Sequence, residues 1–220
     1  MRILYKFATR SRPHKLFAAL DNMQAMMQHD DYIILVTADI DDESMTDQAV
    51  RDRVNTYPNT IILYGTSENK IDAINRDMAL HTNWDILINM SDDMEFTMPG
   101  FDKLILQDYE TQPIGDVLMH YPDQAAGAAL ITMAIMDKKY YDRFGYIYCP
   151  EYKSLFCDNE QQEVAKILGR YKFFKRRIFN HNHPAWGHGQ ADALMVHTES
   201  FHAEDKATFE RRKLKNFYLV

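Results

Sequence analysis

Asp92, Asp93 and Glu95 fall within four positions, directly behind the apolar run WDILINM (84–90). Carboxylates so close together repel one another unless positive charge lies among them. A hard divalent cation is one such partner: carboxylate oxygens hold it while phosphate oxygens complete its shell. A solvated turn or a helix cap would use the same residue types. A second cluster stands far down the chain, where HNHPAWGHG occupies 181–189 and five of the nine histidines lie between 181 and 202. In an extended segment His181 and His183 project to the same side, and imidazole suits Mn²⁺ as an added ligand. His188, His197 and His202 read as loop histidines. A third stretch, FCDNEQQEVAKILGRYKFF (156–174), offers Asp158 as a helix N-cap. A carboxylate at a helix start is also held rigidly, as a general base must be, and Glu160 competes for that role.

Weaker signals surround these. Thr9-Arg10-Ser11-Arg12 follows the first apolar run, and the acidic DIDDES (39–44) follows the second. Asp39 or Asp41 in the latter can accept hydrogen bonds from a base or ribose, although an acidic helix start explains them equally. Lys70 opens an amphipathic segment and could meet a phosphate. KFFKRR (172–177) reads as a solvated strand edge, and Trp186 as a buried anchor or a sugar-stacking platform.

These residues are spaced by a regular succession of elements. RILYKFA (2–8), YIILVTA (32–38), TIILYG (60–65) and WDILINM (84–90) are near-continuous apolar runs, as expected for strands buried on both faces of a parallel sheet. Between them lie helical patterns: 12–27, with Pro13 at its start and Leu16, Leu20, Met23 and Met27 on one face; 44–57; and 69–80, with Ile71, Ile74 and Met78 at helical spacing. After residue 100 the spacing predicts a helix over 100–110, strands near 116–120 and 128–135, and a helix over 158–169. Alternation of this kind predicts an α/β fold with a mostly parallel, doubly wound central sheet. Its ligand site lies beyond the carboxyl ends of the strands, where 9–12, 39–42 and 91–95 converge. No linker or internal repeat divides the chain, so a single domain over 1–220 is expected, with a regular first half to about residue 100 and a less regular second half after it.

Net charge of −7 argues against sequence-independent binding to nucleic acid or anionic membrane. Two cysteines imply no disulfide framework, and MRILYKFATRSRP has no apolar signal core, so a cytoplasmic setting is expected. No apolar run reaches the length that crosses a bilayer.

In order and spacing, FATRSRP, ADIDDESM, NKIDAINRDM, INMSDDMEF, FCDNE and HNHP resemble a nucleotide-sugar glycosyltransferase of the GT-A fold, nearest the family 2 group, over most of residues 1–190. The resemblance implies a Rossmann-like sheet and a nucleoside diphosphate sugar donor, UDP-sugar favoured, held through Mn²⁺ or Mg²⁺. It implies Asp93 first and Asp92 next on the metal, His183 or His181 completing the metal shell, and Asp39 and Asp41 on the nucleoside. Thr9, Arg10, Arg12, Lys70 and Asp92 are the expected remaining donor contacts. Asp158 matches the Asp of the family's Glu-Asp motif, which deprotonates an acceptor hydroxyl in inverting members. The chain departs from that pattern twice. The Asp-x-Asp frame reads Ser91-Asp92-Asp93 or Asp93-Met94-Glu95, and Cys157 stands where the Glu before the base is expected, which keeps Glu160 in contention. Rival readings are a sugar-nucleotide nucleotidyltransferase, for which ATRSRPHK lacks the usual Gly-rich loop, a metal-dependent hydrolase, and a non-catalytic nucleotide-sugar-binding protein.

Overall fold

The computed structural model describes residues 1–184, 187 and 192–219. Strands β1 (Ile3–Thr9), β2 (Tyr32–Asp39), β3 (Thr60–Gly65) and β4 (Ile86–Met90) pair in parallel in the order β3-β2-β1-β4. The sheet continues through β7 (Ile135–Asp137), antiparallel to β4, then β6 (Leu118–His120), antiparallel to β7, and ends at β8 (Tyr171–Phe173), parallel to β6. A separate ribbon pairs β5 (Met94–Phe96) with β9 (Phe179–His181) in antiparallel register, Met94 opposite His181.

Side chains on a strand alternate between faces, and the buried residues of β1 divide accordingly. Ile3, Tyr5 and Phe7 share one core with Leu16, Leu20 and Met23 of α1 (Pro13–Met26) and with Phe101 and Ile105 of α5 (Phe101–Glu110). Leu4 faces the other core, with Ile71 and Ile74 of α4 (Lys70–Asn75), Tyr140 of α6 (Lys138–Phe144), Val164 of α7 (Cys157–Ile167) and Phe209 of α9 (His202–Leu214). Burying each such aliphatic or aromatic side chain contributes about 1.5–3 kcal/mol. The remaining helices are α2 (Glu43–Thr46), α3 (Gln48–Val54) and α8 (Ala193–Glu199). Among the described residues no helix is long and apolar enough to cross a membrane.

Four elements differ from their sequence expectation, three for a local polar reason and one for a backbone reason. The helix expected over 44–57 breaks at Asp47, because Asp42 caps α2 through the amides of Ser44 and Met45 while Asp47 caps α3 through that of Ala49. The helix expected over 69–80 stops at Asn75 and resumes as a 3-10 turn at 78–80. Asp77 between them takes φ 71°, with its carboxylate accepting the Thr37 hydroxyl proton at 2.7 Å. The strand expected near 128–135 shrinks to β7. Residues before it form a loop folded on Asp123, which accepts the amides of Ala125 and Ala126 and the hydroxyl of Thr132. Asp158 is not the N-cap of its helix: α7 begins at Cys157 behind Phe156 in the left-handed region (φ 61°), and Asp158 is the second helical residue.

Candidate functional site

The turn between β4 and β5 carries Asp92 and Asp93, and the ribbon register brings His181 of β9 alongside. His181 Nε2 lies 3.3 Å from Asp93 Oδ1, and the Asn182 amide donates to the Asp93 carbonyl at 2.8 Å. Two amide side chains lock the ribbon from either side. Asn22 of α1 exchanges hydrogen bonds with the backbone of Phe96 at 3.0 and 2.8 Å, and Gln124 does the same with His181 at 2.8 Å each way. Asp123 stands 3.8 Å from the other imidazole nitrogen, and the His183 ring is centred 5.4 Å from that of His181. Burial by itself would raise the Asp93 carboxyl. The His181 imidazole, Ser91 and Lys70 together outweigh it and hold Asp93 well below the ordinary carboxylate range. Burial pushes the His183 imidazole down.

Asp93 Oδ1 and His181 Nδ1 are buried without a hydrogen-bond partner, which native structures rarely tolerate in polar atoms. Among the described residues, no three His, Cys, Asp or Glu side chains are grouped to hold a metal ion. A Mg²⁺- or Mn²⁺-type ion nevertheless needs only one or two protein donors when substrate phosphates supply the rest. Asp93 and His181 fit that requirement.

Asp92 turns the opposite way. Its carboxylate accepts from the Thr9 hydroxyl at 3.2 Å and from Arg12 at 3.3 Å, and burial pushes its carboxyl up. The two adjacent aspartates therefore relieve their repulsion by diverging, one toward a guanidinium and one toward an imidazole. Arg12 also pairs with Asp192, at the N-terminus of α8, at 2.5 Å. Thr9 and Arg12 thus stand behind Asp92 at the carboxyl edge of the sheet.

At the end of β2, Asp39 is only 7% exposed and lies between two guanidiniums: Arg10 donates to Oδ2 at 2.9 Å and Arg76 to Oδ1 at 3.0 Å. Arg10 also forks the exposed Asp41 at 2.7 and 2.9 Å. Arg76, on the segment where the predicted helix fails, reaches the Ala38 carbonyl at 2.7 Å as well.

Asp158 keeps part of its surface accessible, yet burial pushes its carboxyl up, and the Lys70 and His181 charges oppose that shift. Lys70 and His181 act on Asp93 in the same sense. The proposed base and the proposed metal ligand accordingly share one electrostatic environment, with exposed Lys70 bearing on both. Glu160, the alternative base, is excluded from this site: it is 4% exposed and held by Arg212 at 2.7 and 2.9 Å and by the Tyr152 hydroxyl at 2.7 Å. Both of its carboxylate oxygens already accept hydrogen bonds inside the second core.

The structure therefore gathers Asp93, His181, His183, Lys70 and Asp158, sets Asp92, Thr9 and Arg12 beside them, and puts Asp39, Asp41 and Arg10 at the neighbouring strand end. Trp186 and His188 lie outside the described residues. Arg76, Asp123 and Gln124 escape sequence reasoning. Arg76 looks like one more cation on an amphipathic helix, and YPDQAAG (121–127) signals only a turn.

The sequence matches no protein-family profile, and no curated protein resembles it in sequence. Solved structures do share its fold, which is the GT-A fold. TarS 1–349 of S. aureus in complex with UDP-GlcNAc superposes with TM-score 0.64 at 11% identity, over 88% of this chain and 60% of that one. Its complex with UDP gives 0.61 at 12%, over 82% and 60%. The mannosyltransferase PcManGT of Pyrobaculum calidifontis, in complex with GDP-Man and Mn²⁺, gives 0.63 at 14%, over 91% and 69%. The chain thus spans 60% of the length of TarS 1–349.

Proposed function

We propose that the chain is a divalent-metal-dependent glycosyltransferase of family 2 type. It would move a hexosyl unit from a nucleoside diphosphate sugar to an acceptor hydroxyl with inversion. The observation that carries this reading is the approach of His181 Nε2 to within 3.3 Å of Asp93 Oδ1, a buried atom that no hydrogen bond satisfies, at the carboxyl edge of a GT-A sheet. The likeness to folds solved with UDP, UDP-GlcNAc and GDP-Man with Mn²⁺ supports it, and a UDP-sugar is the favoured donor. The two free cysteines, both buried, fit a reducing cytoplasm.

Transfer breaks the bond from the anomeric carbon to a diphosphate oxygen and forms one to the acceptor oxygen, so negative charge grows on the departing diphosphate. A divalent ion held by Asp93 and His181, with His183 beside them, would supply Lewis-acid stabilisation of that charge. Lys70 adds an exposed cation on the same side. Asp39 and Asp41 serve the nucleoside, which on arrival competes with Arg10 for their oxygens; Thr9, Arg12 and Asp92 back the donor from the sheet edge. Asp158 receives the proton of the attacking hydroxyl. Burial raises its carboxyl, and a more basic carboxylate is the better proton acceptor near neutral pH.

The test is a thermal-shift screen of UDP-, GDP-, CDP- and dTDP-sugars with and without Mn²⁺, followed by assay of the released product. Metal-dependent stabilisation and nucleoside diphosphate release are expected. Pyrophosphate release would instead indicate nucleotidyl transfer, and binding without turnover a non-catalytic protein.

A further inference from the structure

Three consecutive backbone amides, those of Lys153, Ser154 and Leu155, point into one carboxylate, that of Asp205 on α9. The distances are 2.9, 2.8 and 2.7 Å, and Asp205 has no exposed surface. A carboxylate buried in this way has its oxygens satisfied by the backbone it holds. The three amides belong to the loop that runs into α7 through Phe156, whose positive φ sets the entry angle of the helix. Asp158 follows two residues later.

The same helix grips the far side of Asp158. Two turns further along α9, Arg212 forks Glu160 from Nε and a terminal nitrogen, and it also pairs with Glu151 at the start of the loop. Phe209 packs between these two contacts in the core shared with Val164 and Ala165 of α7. Lys153 adds a tie to the nucleotide side, its carbonyl accepting the Ile71 amide at 3.3 Å next to Lys70. Asp158 itself makes no hydrogen bond to α9. Among the described residues its carboxylate accepts the adjacent Asn159 amide at 2.9 Å. The carboxylate therefore has freedom to meet an acceptor, while the backbone on both sides of it is fixed.

We propose that Asp205 is a positioning residue for the base. It closes a ring of three amides and so fixes the loop that aims Asp158, with Arg212 holding the following turn through Glu160. This inference rests on the assignment of Asp158 above. A misplacement of about 1 Å at a reacting group costs on the order of a hundredfold in rate, so a loosened loop lowers turnover and leaves donor affinity intact.

The experiment compares wild type, Asp205→Asn, Asp205→Ala, Asp158→Asn and the double variant Asp158→Asn/Asp205→Ala. Readouts are Mn²⁺-dependent donor affinity, kcat, and amide hydrogen exchange at 153–155. The expected result is unchanged donor affinity in every variant, with faster exchange at 153–155 in Asp205→Ala. The kcat falls on the order of a hundredfold in Asp205→Ala and less in Asp205→Asn, which keeps acceptor oxygen. The double variant falls no further than Asp158→Asn alone, because both changes remove one contribution. Donor affinity and kcat falling together would make Asp205 merely structural and overturn the proposal. So would full additivity in the double variant, or wild-type turnover in Asp205→Ala. Should Asp205→Ala fail to fold, Asp205→Asn carries the same comparison. A wild-type chain that releases no nucleoside diphosphate from any donor sinks the glycosyltransferase reading and the positioning role with it, whereas a working wild type with indifferent Asp205 variants sinks the positioning role only.

Discussion

Asp92 and Asp93 are neighbours in sequence with opposite surroundings, and their predicted consequences differ accordingly. Asp93→Ala removes the carboxylate that faces His181 and should abolish Mn²⁺-dependent donor binding, read by titration calorimetry with and without the ion. An unchanged affinity would remove Asp93 from the metal. Asp158→Asn keeps size and loses basicity, so donor binding should persist while transfer falls at least about a hundredfold; a wild-type rate in single-turnover assay would exonerate this residue. Burial of Asp158 and Asp92 raises their carboxyls, so each destabilises the fold on ionisation. Asp93 is the reverse case: depressed in the fold, it contributes stability above the ordinary carboxylate range that is lost as pH falls from that range down through its lower folded value.

Among elements, β1 and the β5–β9 ribbon bear most directly on the site. Lys6 of β1 has no exposed surface, and its ammonium donates to the Thr37 hydroxyl, which in turn donates to Asp77. Burial lowers the lysine to about 7; Asp77 opposes that and Arg76 adds to it. Between that value and the free-lysine value the unfolded chain binds the extra proton, so this group makes stability rise with pH over about 7–10, by up to about 1.4 kcal/mol per pH unit. Lys6→Met should flatten that slope in urea unfolding at pH 7, 8 and 9. Equal slopes in the two proteins would mean the lysine is not neutral in the fold. In the ribbon, Gln124→Ala leaves the His181 amide and carbonyl without their partner. Since groups that support a metal ligand typically contribute about 10–100-fold in affinity, Mn²⁺-linked donor affinity should drop about tenfold with the far-UV spectrum unchanged. A loss confined to thermal stability would show that the amide lock serves the ribbon and not the ion.

At the scale of the molecule, α9 closes the second core by a buried ion pair. The side chains of Arg212 and Glu160 are 7% and 5% exposed. Removing one partner of such a pair costs about 3–5 kcal/mol, because it strands the other charge. Arg212→Ala should therefore lower stability by about that amount in denaturant unfolding, and Arg212→Met with Glu160→Gln should recover part of it. A shift below about 1 kcal/mol in Arg212→Ala would mean water reaches the pair.

Apart from the three-residue β5, the order of strands and helices through residue 110 was legible because each is a long apolar or periodic run, and such runs have few ways to bury themselves. The convergence of residues 9–12, 39–42 and 91–95 followed from the parallel topology alone. The breaks at Asp47 and Asp77 and the short β7 were not legible, because each depends on a side chain hydrogen-bonding to backbone or to a distant strand, and residue type does not reveal which partner wins. Nor was the start of α7, which the positive φ of Phe156 sets. Sequence determined that an acidic cluster and a histidine cluster exist and that the acidic one follows a strand of a parallel sheet. Only the tertiary structure decided that His181 faces Asp93, that Asp92 belongs to Arg12, and that Glu160 belongs to Arg212. Pairings between residues so far apart in sequence are fixed by strand register and helix packing, which emerge when the whole core closes.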